Sequence, residues 1–134
     1  MFLVIRNPNS PSNVGTTVWM PAKAGTYTYG QALKINAGMV EGASGDVTVD
    51  CVCAENKTIA ANNDKLMVVR VNDDLVFEAP LSAAGAPAVG AGYTIAANGL
   101  EVTATAVTNN TGAIVIDAKG ASAVGDKIEV KFRK

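Results

Sequence analysis

The chain has no histidine among its 134 residues, only two cysteines, and aromatic residues at just 5% of the composition. Histidine is the side chain best suited to proton transfer and metal binding near neutral pH, so the commonest general base and metal ligand are missing. The serines likewise have no histidine that could activate them as nucleophiles. A structural or binding role is therefore favoured over an enzymatic one, and we expect no catalytic residues and no cofactor.

The charge is nearly balanced, with eleven basic and twelve acidic residues and a formal net charge of −1. A chain of this kind has no long-range field that would attract nucleic acid or an anionic membrane surface. The apolar run at residues 2–5 is too short for a signal peptide or a membrane span. We therefore expect no nucleic-acid partner, no membrane partner and no export signal.

The acidic residues do not form a recognisable ligand set. Asp73 and Asp74 are adjacent in a predicted turn, where their side chains point apart and stay solvated. Neither the acidic turn at residues 62–64 nor the one at 72–74 continues with the ligand spacing of a calcium loop. The sequence predicts no metal site.

The two cysteines lie two residues apart in the alternating segment 46–55, DVTVDCVCAE. On one continuous strand Cys51 and Cys53 share a face with Val47 and Val49, while Val52 points to the other face. Neighbours at this spacing on one strand are poorly placed for a disulfide. We therefore predict two buried, reduced thiols with a core role.

The rest of the chain is typical of short strands separated by turns. Asn, Asp, Gly or Pro bounds six segments rich in β-branched residues, which are LMVVRV, LVFEAP, YTIAA, LEVTATAV, AIVID and DKIEVKF. Residues 72–74 between the first two predict a β-hairpin. The alanine-rich stretch 82–91 is interrupted by Gly85, Pro87 and Gly90 and predicts no more than a helical turn. We expect an all-β fold with little or no helix, in which residues 30–134 form a small antiparallel β-barrel or sandwich.

Residues 1–29 differ from the rest and predict an extended N-terminal arm. Pro8, Pro11 and Pro21 preclude a helix or a long central strand. The segment nevertheless holds more than half of the aromatic residues of the chain, and such an arm either packs on its own domain or reaches a neighbouring protein. The candidate protein-contact residues are Phe2, Trp19, Tyr27 and Tyr29.

The C-terminal half resembles a known family in its pattern of strands and turns. The segments that carry the likeness are LMVVRVNDDLVFEAPL, a Gly/Ala loop, YTIAANGLEVTATAV, AIVID and AVGDKIEVKF. Together they are similar to the small head decoration, cement or stabilising proteins of tailed phages. The resemblance implies a non-catalytic protein, made in the bacterial cytoplasm, that binds the major capsid protein on the outer surface of the virion. It also implies a homo-oligomer, with a trimer favoured.

An alternative from another class is a small β-barrel module that binds carbohydrate or another ligand in a phage or bacterial surface structure. Such a module needs an exposed aromatic platform on one sheet face. Outside the arm the aromatic residues that could supply it are Phe77, Tyr93 and Phe132.

Overall fold

Strands account for all of the regular secondary structure in the computed structural model, which describes residues 1–7, 16–72, 75–108 and 111–132. The all-β prediction is thus confirmed. The strands within these ranges are β1 Leu3–Arg6, β2 Thr17–Ala22, β3 Gly25–Tyr27, β4 Ala32–Asn36, β5 Met39–Gly42, β6 Cys51–Cys53, β7 Lys57–Ile59, β8 Asp64–Arg70, β9 Val76–Pro80, β10 Gly92–Ile95, β11 Val102–Ala106, β12 Ala113–Asp117 and β13 Lys127–Phe132.

The strands form a closed barrel, a six-stranded sheet and a small two-stranded ribbon. The barrel has the order β2-β5-β4-β6-β8 and closes where β8 pairs with β2. The sheet has the order β1-β9-β13-β12-β10-β11, with every pair antiparallel, and the ribbon joins β3 to β7. The contact between β2 and β5 is parallel and consists of one residue pair, Ala22 with Val40. The barrel is therefore joined weakly at this point.

Alternating residues of the barrel strands build its interior, together with Tyr27 and Ile59 from the two-stranded ribbon. The fully buried members of this core are Ala22, Tyr27, Leu33, Val40, Cys51, Cys53, Ile59, Leu66 and Val68. The Tyr27 hydroxyl donates a hydrogen bond to the Lys23 carbonyl oxygen at 2.7 Å, so the one polar atom of this ring is satisfied. Burial raises the pKa of this phenol above its ordinary value.

A larger core also draws residues from the barrel and from the six-stranded sheet. The phenyl rings of Phe2 and Phe77 both pack on Phe132, with centroid distances of 5.2 and 5.1 Å. Val52, on the short strand β6, belongs to this core, whereas its neighbours Cys51 and Cys53 face the barrel interior. Strand β6 therefore supplies side chains to both cores, which explains why all three of its residues are buried.

The predicted orientation of the cysteines is confirmed, but the continuous strand around them is wrong. Residues 46–50 are not strand, and Val49 lies in the larger core with Val52 instead of sharing the cysteine face. The alternation breaks at Asp50, whose backbone N–H donates to Leu33 O and whose carboxylate accepts from Ile35 N–H. Both thiols are buried and neither forms a disulfide, as predicted.

The hairpin predicted across residues 72–74 is also wrong. Strand β8 pairs with β2 and β6 in the barrel, whereas β9 pairs with β1 and β13 in the other sheet. Val71 and Leu75, on either side of the turn, are both buried in the larger core, so the chain crosses between sheets here instead of reversing at the surface. Asp73 and Asp74 themselves lie outside the described residues.

The described residues of the predicted arm are built into both sheets. Strand β1 pairs with β9, and Phe2 is buried against Phe132. Strand β2 pairs with β8 along its whole length, from Thr17 to Ala22. Strands on both sides of the boundary predicted at residue 29 therefore pair with each other. Pro8 and Pro11, which motivated the prediction, lie outside the described residues.

An ionic network crosses one face of the six-stranded sheet. Glu129 on β13, itself buried, lies 2.6 Å from Arg6 on β1 and 3.2 Å from Lys119 in the turn after β12. Lys119 also contacts Glu78 on β9 at 3.2 Å, and Lys127 lies 3.4 Å from the same carboxylate. The network joins three neighbouring strands and gives the buried Glu129 carboxylate two cationic partners.

The network predicts a pH dependence of stability. The hydrogen bond from Lys119, followed by that from Lys127, holds the pKa of Glu78 below its ordinary value. A carboxylate with a depressed pKa contributes stability above its unfolded pKa, and this contribution is lost as the pH falls through the folded pKa. We expect the melting temperature to fall between about pH 5 and pH 3, and to fall less in Glu78→Gln. Equal slopes for the two proteins in scanning calorimetry would contradict this assignment.

Candidate protein-contact surface

The four aromatic residues predicted to contact a partner divide into two pairs. Phe2 and Tyr27 are 1% and 4% exposed and belong to the two cores. Trp19 and Tyr29 are 59% and 45% exposed. Clustering along the sequence did not distinguish these pairs, because burial depends on which face of each strand a side chain occupies. Only Trp19 and Tyr29 of this set are available to a partner in the folded chain.

Trp19 lies on the outer face of β2. The barrel-facing residues of this strand are Val18, Met20 and Ala22, so alternation turns Trp19 outward. Across the ladder it stands opposite Met67 of β8. The Lys57 ammonium lies 5.5 Å from the centre of the indole ring and donates to the Lys65 carbonyl oxygen at 2.8 Å. The cation–π contact holds a positive charge over an indole that solvent can reach.

Tyr29 stands at a cleft between β1 and the barrel. The cleft has a volume of about 240 Å³. Its walls are Phe2, Leu3, Val4, Tyr29, Val52, Cys53, Ala54 and Val69. The backbone N–H of Tyr29 donates to the Asn56 side-chain oxygen at 2.8 Å, and that of Gly30 donates to Cys53 O, so the segment carrying the ring is anchored.

Strand β8 connects the indole to the cleft. Met67 pairs with Trp19, and Val69, two residues further along the same face, lines the cleft beside Tyr29. We call the side chains of Trp19, Met67, Val69 and Tyr29, with Leu3 and Val4, the Trp19–Tyr29 surface. Apolar and aromatic side chains grouped in this way, with a lysine at the edge, are typical of protein contact sites.

Sequence reasoning did not identify Met67, Val69 and Lys57 as members of this surface. The alternation of KLMVVR indicates that Lys65, Met67 and Val69 share one face of β8. It does not reveal that β8 lies beside β2, because the two strands are separated by more than forty residues of chain. The pairing register supplied that information.

The Cys53 thiol, which lines the cleft, is a poor reactive group. Cys53 donates its thiol proton to Glu55 O at 3.0 Å, and burial raises its pKa above the ordinary value. The Cys51 thiol contacts the Met20 sulfur at 3.6 Å inside the barrel. A thiol with a raised pKa is largely protonated at neutral pH and is therefore a poor nucleophile and metal ligand.

A second cleft, of about 130 Å³, lies beside Tyr93 between the 81–91 connection and β11. The Tyr93 hydroxyl accepts a hydrogen bond from Ala88 N–H at 3.0 Å, so the ring holds the connection in place. Phe77 and Phe132, the other candidates for a ligand-binding platform, are both buried in the larger core. Of that trio, only Tyr93 reaches a cleft.

No protein-family model matches the chain, and no curated protein matches it significantly. Across the described ranges, no group of three or more Cys, Asp or Glu side chains is arranged to hold a metal ion. No helix in the same ranges is long and apolar enough to cross a membrane.

Proposed function

We propose that this chain is a non-catalytic structural protein that binds the major capsid protein on the outer surface of a tailed-phage capsid and stabilises the shell. The observation that carries the proposal is the Trp19–Tyr29 surface, where two exposed aromatic residues are joined by apolar side chains on a β-body. Tryptophan and tyrosine are the residues most enriched among those that dominate the energy of protein interfaces. The likeness of the C-terminal half to decoration proteins supplies the choice of partner.

Replacement of Trp19 by alanine is expected to weaken capsid binding at least tenfold, because a central interface tryptophan typically contributes about 2 kcal/mol or more. Stability should change by less than about 0.5 kcal/mol, since the side chain is mostly exposed. The measurement is co-sedimentation with empty capsids of the phage that encodes the chain, at increasing protein concentration. Tyr29→Ala should weaken binding in the same assay.

Val124→Ala is the matched control for this experiment. Val124 is as exposed as Trp19 but lies in the turn between β12 and β13, far along the chain from the Trp19–Tyr29 surface. We expect it to bind like the unmodified protein. Equal binding by all three variants would remove the Trp19–Tyr29 surface from the proposal, and failure of the unmodified protein to sediment with capsids would overturn the proposed function.

The proposal includes self-association, with a trimer favoured. Symmetric assembly multiplies individually modest contacts with a repeating lattice, so that a weak site can still give stable attachment. Light scattering after size-exclusion chromatography measures the mass of the free protein directly. If the free protein is a monomer at all concentrations, self-association can occur only on the capsid surface.

A further inference from the structure

The backbone of β2 has an open edge beside Trp19. The strand pairs with β8 on one side along its whole length, but on the other side it pairs with β5 only at Ala22. The Lys23 N–H donates to Val40 O of β5. Because backbone groups alternate between the two sides of a strand, the backbone nitrogen and C=O groups of Thr17, Trp19 and Pro21 also point to the β5 side. Beside Thr17 and Trp19 this side is the open edge. Among the described residues, no strand occupies this edge beside Thr17 and Trp19.

Pro21 is consistent with this arrangement. Proline has no N–H to donate, and it is tolerated in a sheet where its nitrogen faces away from a pairing strand. Pro21 is odd-numbered, so its nitrogen lies on the side opposite β8, and the ladder with β8 continues through it to Ala22. The N–H and C=O groups of Thr17 and Trp19 lie on the same side, where no described strand pairs with them.

Surplus positive charge surrounds this edge. Lys57 lies over the indole, and Lys65 lies two residues before Met67 on the same face of β8. Neither forms an ion pair with a described carboxylate. On the β5 side, Lys23 and Lys34 share a single carboxylate, that of Glu41, at 3.2 and 3.5 Å. On the β8 side, the Glu55 carboxylate accepts from Met67 N–H, and Asp64 pairs with Ala22 across the ladder. Four lysines therefore stand near three carboxylates. The chain as a whole is slightly acidic, so this concentration of lysines is local.

We propose that the open edge of β2 binds an extended acidic segment of the partner protein by strand addition. The backbone of Thr17 and Trp19 would supply up to about four hydrogen bonds. Alternate residues of the segment share the face of the indole, so on that face an apolar side chain would pack on Trp19 and carboxylates two residues away would meet the lysines. A second copy of this chain is disfavoured as the occupant, because it would bring the same lysines against each other. The inference rests on the proposed function, since it names the part of the capsid protein that the surface would contact.

The test uses Trp19 as its own reporter, because it is the sole tryptophan of the chain. The probes are two seven-residue peptides with threonine at the four odd positions. The three even positions, which share one face of an extended strand, carry a central valine flanked by two glutamates in one peptide and by two lysines in the other. We expect the glutamate peptide to shift the indole emission in a saturable titration, to bind at least tenfold more tightly than the lysine peptide, and to weaken as salt increases. Equal binding of the two peptides, or no saturable shift with the glutamate peptide, would overturn the inference.

Two further measurements address strand addition itself. Thr17→Pro removes an N–H that faces the open edge and not β8, so we expect a folded protein with a loss of glutamate-peptide binding. The unmodified protein should likewise fail to bind a glutamate peptide that is N-methylated at alternate amides, and this holds whether or not the proline variant folds. Two such peptides are needed, one methylated at the odd and one at the even amides, because only one set of amides faces β2. Strand addition would be overturned if both peptides still bind.

Charge reversal separates the inference from the proposed function. The double variant Lys57→Glu, Lys65→Glu should lose binding of the glutamate peptide, while Lys131→Glu, on the six-stranded sheet, should retain it. If the unmodified protein binds capsids, and neither Thr17→Pro nor the double variant weakens that binding, the acidic-segment inference fails and the proposed capsid function stands. If the peptide results hold and capsids do not bind, the proposed function fails alone.

Discussion

Phe2→Ala is expected to lower the free energy of unfolding by about 3–5 kcal/mol, the usual cost of removing a buried phenylalanine ring. Phe2 is almost fully buried and packs on Phe132, which in turn packs on Phe77. Truncation would leave a cavity where β1 meets the larger core. Since small domains have only about 5–15 kcal/mol of stability, the variant should melt far below the unmodified protein.

Ile5→Ala is the matched control, because Ile5 lies on β1, which begins directly after Phe2, with 36% of its surface exposed. It should cost about 1 kcal/mol or less. Urea unfolding followed by circular dichroism measures both values. Equal costs at the two positions would mean that the N-terminal strand is not part of the core.

Deletion of residues 1–20 should for the same reason unfold the protein, since it removes β1 and most of β2. Point variants therefore test capsid binding better than this deletion.

Gly112→Ala is expected to be strongly destabilising for two reasons. The backbone at Gly112 has a φ of 70°, which costs a residue with a Cβ about 1–2 kcal/mol. A Cβ placed there would also press directly against the carbonyl oxygen of Tyr93 and would lie 2.8 Å from a methyl carbon of Val107. Because backbone cannot move aside easily, we expect this clash to add about 1–3 kcal/mol or more.

Gly120→Ala separates these two contributions. Its φ of 68° is nearly the same, but a Cβ at this position would meet nothing within 4 Å. This variant should therefore show the conformational cost alone, about 1–2 kcal/mol. The difference between the two free energies of unfolding measures the clash at Gly112. Equal destabilisation would show that the β10 backbone gives way to the added methyl group.

The cysteine segment shows how far alternation predicts structure. Over Cys51–Cys53 the period of two places the thiols in one core and Val52 in the other, as expected from an extended strand. The same rule fails from Asp50 backward, because hydrogen bonds from that residue to β4 interrupt the strand. Alternation is a local rule, and a side chain that bonds a distant backbone can override it.

For the Trp19–Tyr29 surface, local sequence patterns predicted much less than they did for the cysteines. The sequence indicated that aromatic residues are concentrated before residue 30, but it did not separate the buried pair from the exposed pair. That separation depends on β1 joining the six-stranded sheet and on β2 joining the barrel, both through partners more than forty residues away. The lysines around Trp19 come together for the same reason.

By itself the sequence determined the class of fold, the lack of helix and the burial of the cysteines. These follow from β-branched composition, turn residues and local alternation, which act over a few residues. Only the tertiary structure decided that β8 and β9 belong to different sheets, that residues 3–6 and 17–22 are strands of the body, and that Trp19 stands at an open edge. Such features depend on pairing between distant strands. At residues 72–74, the burial of the flanking side chains in the larger core outweighs the tendency of Asn and Asp residues to form a hairpin turn.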